Sequence, residues 1–225
     1  MSSAFEMRYG AGMGVARTSK RPAESKSART RKRILDAGAS AFRSDGYASV
    51  TLKDIAARAG LQAGSLYYHF DSKEEIVEEV LELGVDGVSA ATREAVDALG
   101  PGADPMARLR AAIAAHLKFV LTESDYAVAN IRILSQVPQR IRQRHLKRQR
   151  RYGAFWRALF ESAAKAGALR THLDLSIVRM LTLGALNWSV EWYDANGPQS
   201  PGTIAGQLST MILEGLARRE PVTSR

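Results

Sequence analysis

Residues 51–75 read TLKDIAARAGLQAGSLYYHFDSKEE, and the fold of the chain turns on this stretch. Thr51 and Asp54 have the spacing of a capping box, with the hydroxyl taking free backbone N–H groups and the acid at the helix's positive end. Leu52, Ile55, Ala56 and Ala59 then fall on one apolar helical stripe. Gly60 follows where a helix needs positive φ, and Leu61 is the apolar plug that lets a second helix cross the first. That second helix is expected over about Gln62 to His69. Its outward residues are small (Ala63, Gly64, Ser65) or aromatic and polar (Tyr67, Tyr68, His69). Ser72 and Glu75 repeat the capping box and start a new helix, with Lys73 in its first turn. A cation there opposes the helix dipole unless an anion such as a phosphate stands near it.

Outward from this stretch, composition narrows the possibilities. The formal charge is +9 and the pI is near 10.0, which favours a polyanionic partner such as nucleic acid. Cysteine is absent, which excludes disulfides, thiolate metal sites and a cysteine nucleophile. No run of about eighteen apolar residues occurs, and Met1 to Gly14 lacks the pattern of an export signal. The expectation is a cytoplasmic protein with no membrane partner. His69, His116, His145 and His172 are scattered, with no H-x-x-x-H, nucleophile elbow or glycine-rich phosphate loop after a strand. Glu74 and Glu75, like Glu78 and Glu79, read as exposed helix residues. No catalytic residue, metal site or cofactor is expected.

In chain order, residues 1–28 are rich in Ser, Gly, Ala, Lys and Arg and read as a basic flexible arm, either a phosphate-tracking tail or a solvated one. Helix one is expected from about Ser27 to Asp45, burying Ile34, Leu35, Ala37, Gly38, Ala41 and Phe42 and ending at Gly46. Arg29, Arg31, Lys32 and Arg33 crowd its first turns, a placement that bound phosphate relieves. From Ser72 helical spacing continues to about Leu99, with Gly84 and Gly87 expected to loosen the middle. Gly100, Pro101, Gly102 and Pro105 break it. Further helices are expected over Met106–Thr122, Asp125–Gln136, Pro138–Gly167, Leu173–Ala195 and Thr203–Arg219. The fold class is all-α, with about nine helices.

Two later stretches carry information. Residues 139–151, QRIRQRHLKRQRR, hold Arg140, Arg142, Arg144, His145, Lys147, Arg148, Arg150 and Arg151 and no acid. Such a run is either a helix surface paired with acids elsewhere or a phosphate-binding rim for a nucleotide-bearing effector such as a coenzyme A thioester. Nonspecific DNA contact is a third option. Residues 181–198, LTLGALNWSVEWYDANGP, put Trp188 and Trp192 on one helix face near Asn187, Glu191 and Tyr193. The preceding segment from Leu173 to Leu186 is apolar nearly all round, so a partner subunit is the economical cover. Ile204, Leu208, Met211, Ile212 and Leu216 form a stripe suited to the same interface.

The run GSLYYHFDSKEE, preceded by TLKDIAARAG, closely resembles the DNA-binding domain of TetR-type transcriptional regulators, over Arg29 to about Val80. The resemblance implies an N-terminal three-helix head with a helix-turn-helix (29–75) and a C-terminal helical ligand-binding and dimerisation domain (76–225). It implies a homodimer whose recognition helices enter successive major grooves roughly 34 Å apart on a palindromic operator in double-stranded DNA. Ala63 and Gly64 then lie against base edges, with Tyr68 packing there and Gln62 in reach of a base. Thr51, Ser65, Tyr67, His69 and Lys73 match family positions that hold phosphates.

The resemblance further implies a central pocket for a small effector. Its walls are expected from His116, Phe119, Tyr126, Asn130, Tyr152, Trp156, Asn187, Trp188 and Trp192, with Arg148 from the basic run. LGALNWSVEWYDANGP resembles the end region of a subgroup that includes regulators of fatty-acid and sterol catabolism, several of which answer to acyl-CoA. Gly184 stands where some relatives carry an arginine. The expected function is a dimeric repressor released by a small effector such as an acyl-CoA. A pocket-bearing enzyme acting on acyl-CoA and a nonspecific architectural DNA binder remain as alternatives.

Overall fold

A computed structural model of the chain describes residues 25–216; the expected arm lies outside the described residues over 1–24, and its last residues already belong to helix α1 (Lys26–Ser49). The Ser25 hydroxyl accepts the Ala28 N–H and starts that helix. The face read from the spacing, Ile34 to Phe42, is buried. Gly46, expected to end α1, kinks it at φ 77°, and one more turn reaches Ser49.

In α2 (Leu52–Arg58) both halves of the capping box form: Asp54 N donates to Thr51 Oγ1 at 3.3 Å, and Thr51 N donates to Asp54 Oδ2 at 2.8 Å. Gly60, at φ 63°, lets the Leu61 N–H reach the Ala56 carbonyl at 2.9 Å and its own N–H reach Ala57 at 3.0 Å. That crossed pair closes the helix end and turns the chain. The next helix, α3 (Ala63–Tyr67), is shorter than expected because the Leu66 carbonyl takes the N–H groups of both His69 and Phe70, ending the regular ladder. Leu66 and Phe70 anchor it, both buried.

Helix α4 (Lys73–Asp97) starts at Ser72, whose hydroxyl accepts the Glu75 N–H at 3.2 Å. The Glu75 carboxylate reaches back to Asp71 N at 2.9 Å, so the box closes one residue earlier than expected. Gly84 and Gly87 do not loosen α4, which runs unbroken through both. A Cβ at Gly84 would stand 2.5 Å from the Tyr126 carbonyl oxygen, and one at Gly87 would stand 2.6 Å from the Phe119 ring. These glycines allow close approach of other elements.

Helix α5 (Pro105–Lys118) passes into a π turn, Phe119–Glu123, where a continuous α-helix to Thr122 was expected. There follow α6 (Asp125–Ile133), α7 (Gln139–Lys165), α8 (Leu175–Trp192) and α9 (Pro201–Leu216), so the described residues form nine α-helices and no strand. They hold two apolar cores. One joins α1, α2, α3 and the start of α4 to Ala129, Ile133, Val137 and Ile141. The other lies among α4, α5, α7, α8 and α9.

Helix α6 spans the two cores. The Tyr126 hydroxyl donates to Asp36 on α1 at 2.6 Å. Arg132 reaches the Arg43 carbonyl at 3.0 Å, and Gln136 Oε1 accepts the Tyr47 N–H at 2.9 Å, just beyond the kink at Gly46.

Candidate functional site

The outer face of the head is built by α3. Burial of Leu66 and Phe70 turns the rest of the helix outward, so Gln62, Ala63, Gly64 and Ser65 are exposed and Tyr67 and Tyr68 are 53% and 83% exposed. Nothing lies within 4 Å of a Cβ placed on Gly64, and Gln62 makes no capping hydrogen bond, which leaves its amide free. His69 is half-buried and meets the Tyr68 ring edge-on. No acidic side chain lies in α3. Thr51 stands at the neighbouring cap, its hydroxyl donating to Asp54 at 2.6 Å. The surface therefore offers hydroxyls, an amide, two aromatic faces and a gap where side chains are smallest. Backbone and base edges of a duplex can approach it closely.

Lys73 is placed differently from an open phosphate contact. Its ammonium donates to the Tyr47 and Val50 carbonyls at 2.9 and 2.8 Å and lies 4.2 Å from the centre of the Tyr47 ring. These acceptors balance its charge at the helix start, so Lys73 fixes the end of α1 to α4 and has one hydrogen left for a partner. Three of the four cations in the first turns of α1 are engaged similarly. Arg31 forks onto Glu79 while stacking 4.6 Å from the Phe70 ring centre, Lys32 pairs with Asp36, and Arg33 donates to the Ala59 carbonyl.

A cavity of about 550 Å³ lies among α4, α5, α6, α7 and α8. Four of the ten expected effector contacts line it: His116, Asn130, Tyr152 and Asn187. His116 Nδ1 stands 2.9 Å from the Tyr152 hydroxyl and Nε2 stands 3.2 Å from Asn187 Oδ1. With the Asn187 amide in this orientation, the ring carries its proton on Nε2 and accepts from Tyr152 at Nδ1. Burial pushes the imidazole down to about 4, so it is neutral, and pushes the Tyr152 phenol up to about 12. Thr92 Oγ1, 2.9 Å from the Tyr152 hydroxyl, extends the chain into α4. Asn130 Oδ1 is buried without a hydrogen-bond partner.

The other six expected contacts do not line this cavity. Phe119 packs its ring at Gly87, and the Tyr126 side chain turns to Asp36. Arg148 bridges Glu82 and Asp86 on α4 at 2.8 and 2.7 Å, and Arg144 meets Glu78 at 2.8 Å, so this part of the basic run is a paired helix surface. Trp156 is fully buried behind Tyr152 and His116. Trp188 and Trp192, 67% and 55% exposed, share an outward stripe of α8 with Ile177 and Leu181, because successive helix residues diverge by about 100° and Asn187 already faces in. Trp188 instead lines a recess of about 610 Å³ with Arg43, Arg132 and Glu191.

Sequence reading did not pick out Arg179 and Gln149, nor the use of Gly84 and Gly153 in the cavity wall, whereas Arg150, named in the basic run, does line the cavity. One signal was present: Arg179 is the single charged residue from Leu175 to Val190. A lone charge in an apolar helix needs a reason.

The profile of the family described as "Bacterial regulatory proteins, tetR family" matches residues 34–80, and that of "Tetracyclin repressor-like, C-terminal domain" matches residues 102–216. The chain is similar to the HTH-type transcriptional repressor KstR2 of Rhodococcus jostii (strain RHA1), 30% identical over 210 residues, which cover 87% of this chain and 96% of that protein. It is 31% identical over 195 residues to the KstR2 repressor of Mycobacterium tuberculosis (strain ATCC 25618 / H37Rv), covering 84% and 93%. The solved structure of the ketosteroid transcriptional regulator KstR2 of Mycobacterium tuberculosis superposes with a TM-score of 0.75 at 28% identity, covering 88% of this chain and all of that one.

Proposed function

We propose that this chain, which belongs to the TetR family of transcriptional regulators, is a homodimeric repressor that binds a palindromic operator and is released by a small effector in its central cavity. The observation that carries the reading is the exposed α3, with Gln62, Ala63, Gly64, Ser65, Tyr67 and Tyr68 presented together on a rigid apolar footing. Ala63 and Gly64 admit base edges, while Ser65, Tyr67, His69 and the remaining hydrogen of Lys73 take phosphates; Thr51, whose N–H and hydroxyl are both given to Asp54, serves the cap instead. Functionally the chain divides into the arm 1–28, the head 29–75 and the effector and dimer domain 76–225. The head's apolar core draws on α4 as far as Leu81 and so ties the two parts together.

The dimer face is the stripe Ile177, Leu181, Trp188 and Trp192 of α8 with Met211 of α9, all more than half exposed in the single chain. An apolar surface of this kind calls for a partner, and a second copy supplies it by twofold symmetry. The effector is drawn from lipid breakdown, an acyl-CoA in the first instance, in keeping with relatives that carry the KstR2 name, one of them termed a ketosteroid regulator. Apolar walls with a few polar groups fit an acyl portion. The role is binding, not turnover, and its setting is the cytoplasm, where the operator lies; no helix among the described residues is long and apolar enough to cross a membrane.

A mobility-shift assay on the DNA upstream of the gene tests this. Retarded complexes that survive excess random duplex, weaken in Tyr67→Ala and dissolve on adding an acyl-CoA are the expected result. Binding that tracks charge alone marks a nonspecific binder, and turnover of the acyl-CoA marks an enzyme.

A further inference from the structure

The central cavity contains the one charge that α8 carries between Leu175 and Val190. Arg179 turns inward and lays its guanidinium on α7 at Gly153, where a Cβ would stand 2.9 Å from Nη1. Nη1 donates to the Gly153 carbonyl at 3.2 Å. Any larger residue at 153 would displace the guanidinium, so the absent side chain makes its seat. Arg179 Nε is buried and has no hydrogen-bond partner among the described residues. A buried donor on a full charge is costly unless an acceptor meets it.

The surroundings sharpen the demand. Arg150, one turn before Gly153, lines the same cavity, and no acidic side chain does. Neither Arg150 nor Arg179 forms an ion pair among the described residues, whereas Arg144 and Arg148 of the same basic run are paired with α4. The cavity's histidine is neutral and engaged with Tyr152 and Asn187. Arg179, half-buried, and Arg150, exposed at the rim, are thus the full charges of a space whose other lining groups are neutral.

We infer that Arg179, seated on Gly153 with the exposed Arg150 one turn away, is an anion-binding subsite at the cavity rim, and that the effector is an amphiphile whose negative group is held where α7 meets α8 while its apolar part packs among Val85, Val88, Val120 and Leu183. This rests on the reading that the cavity takes the effector. A carboxylate and the phosphates of a coenzyme A thioester share the recognised chemistry, since the guanidinium fork fits both.

The test is calorimetric titration of the full chain, without DNA, with decanoate, decanoyl-CoA and decanol. An anionic probe is expected to bind at least about tenfold more tightly than decanol, the scale of one charged hydrogen bond. Arg179→Gln and Gly153→Ala are each expected to lose about tenfold of the anion's affinity and none of the alcohol's. Binding of decanoate assigns the subsite to a carboxylate, and binding of decanoyl-CoA alone assigns it to phosphate. Decanol binding as tightly as both anions, unchanged anion affinity in a folded Arg179→Gln, or no binding by any probe overturns the inference. If Arg179→Gln does not fold, the comparison of anions with decanol on the unaltered chain decides. Operator binding is read separately by mobility shift, so loss of the subsite and loss of the regulator reading give different results.

Discussion

Replacing Gly84 by alanine places a methyl group 2.5 Å from the Tyr126 carbonyl oxygen, 2.9 Å from its carbon and 3.2 Å from Asn130 Cβ. Two of these atoms are backbone inside α6 and cannot rotate away. Ordinary contact begins at 3.4 Å, so α6 must retreat from α4 by roughly 0.9 Å. Overpacking of this kind costs about 1–3 kcal/mol. Retreat also strains the bonds from Tyr126, Arg132 and Gln136 to α1. The sum should be near the top of that range, ~2–3 kcal/mol, which for a chain of this size lowers the melting temperature by roughly 5–10 °C. Thermal unfolding followed by circular dichroism reads this directly. Gly64→Ala is the control, because nothing lies within 4 Å of its Cβ; it should melt within about 2 °C of the unaltered chain. If Gly84→Ala melts with the control, α6 does not lie against α4 as described.

Leu181→Glu puts a charge on the proposed dimer face at a position 69% exposed in the single chain. Twofold symmetry counts the lost burial twice at ~2 kcal/mol each, raising the dimer dissociation constant by about a thousandfold; sedimentation should show monomers, and an intact dimer would contradict the interface. Lys73→Ala removes the donor from the Tyr47 and Val50 carbonyls and should cost about 1–3 kcal/mol in urea unfolding without DNA; loss of operator binding with no loss of stability would make Lys73 a phosphate contact alone. His116 and His145 are held near 4 by burial, against 6.5 ordinarily. The unfolded chain takes up protons that the folded one refuses, so the histidines' contribution to stability is constant above about 6.5, falls by up to ~1.4 kcal/mol per pH unit for each histidine down to about 4, and levels below that. Urea unfolding at about pH 7.5 and about pH 5 should show the fall, and His116→Gln should reduce it.

The head was legible because its signals are local. Thr51 with Asp54, Gly60 before Leu61, and Ser72 with Glu75 specify caps and a turn within a few residues of one another; the first two form as read and Ser72 caps α4, with Glu75 turned back to Asp71 instead of Ser72. The cavity was legible only in part, because its walls depend on which way helices rotate against partners distant in sequence. His116, Asn130, Tyr152 and Asn187 point inward, while Trp188, one residue beyond Asn187, points out. Arg148 looked available because its partners Glu82 and Asp86 lie on another helix. Gly84 and Gly87 read as weak points since sequence shows a missing side chain but not the carbonyl or ring that needs the space. The π turn at Phe119–Glu123 left no mark in the periodicity.

The central claim is sequence-selective, salt-sensitive DNA binding through the exposed α3. Fluorescence anisotropy of the chain titrated onto its upstream operator and onto a scrambled duplex, at two salt concentrations, tests it most directly. Operator binding is expected to be at least about a thousandfold tighter than scrambled, with affinities for both that fall with salt and a selectivity that persists. Equal affinities for the two duplexes at both concentrations would contradict it.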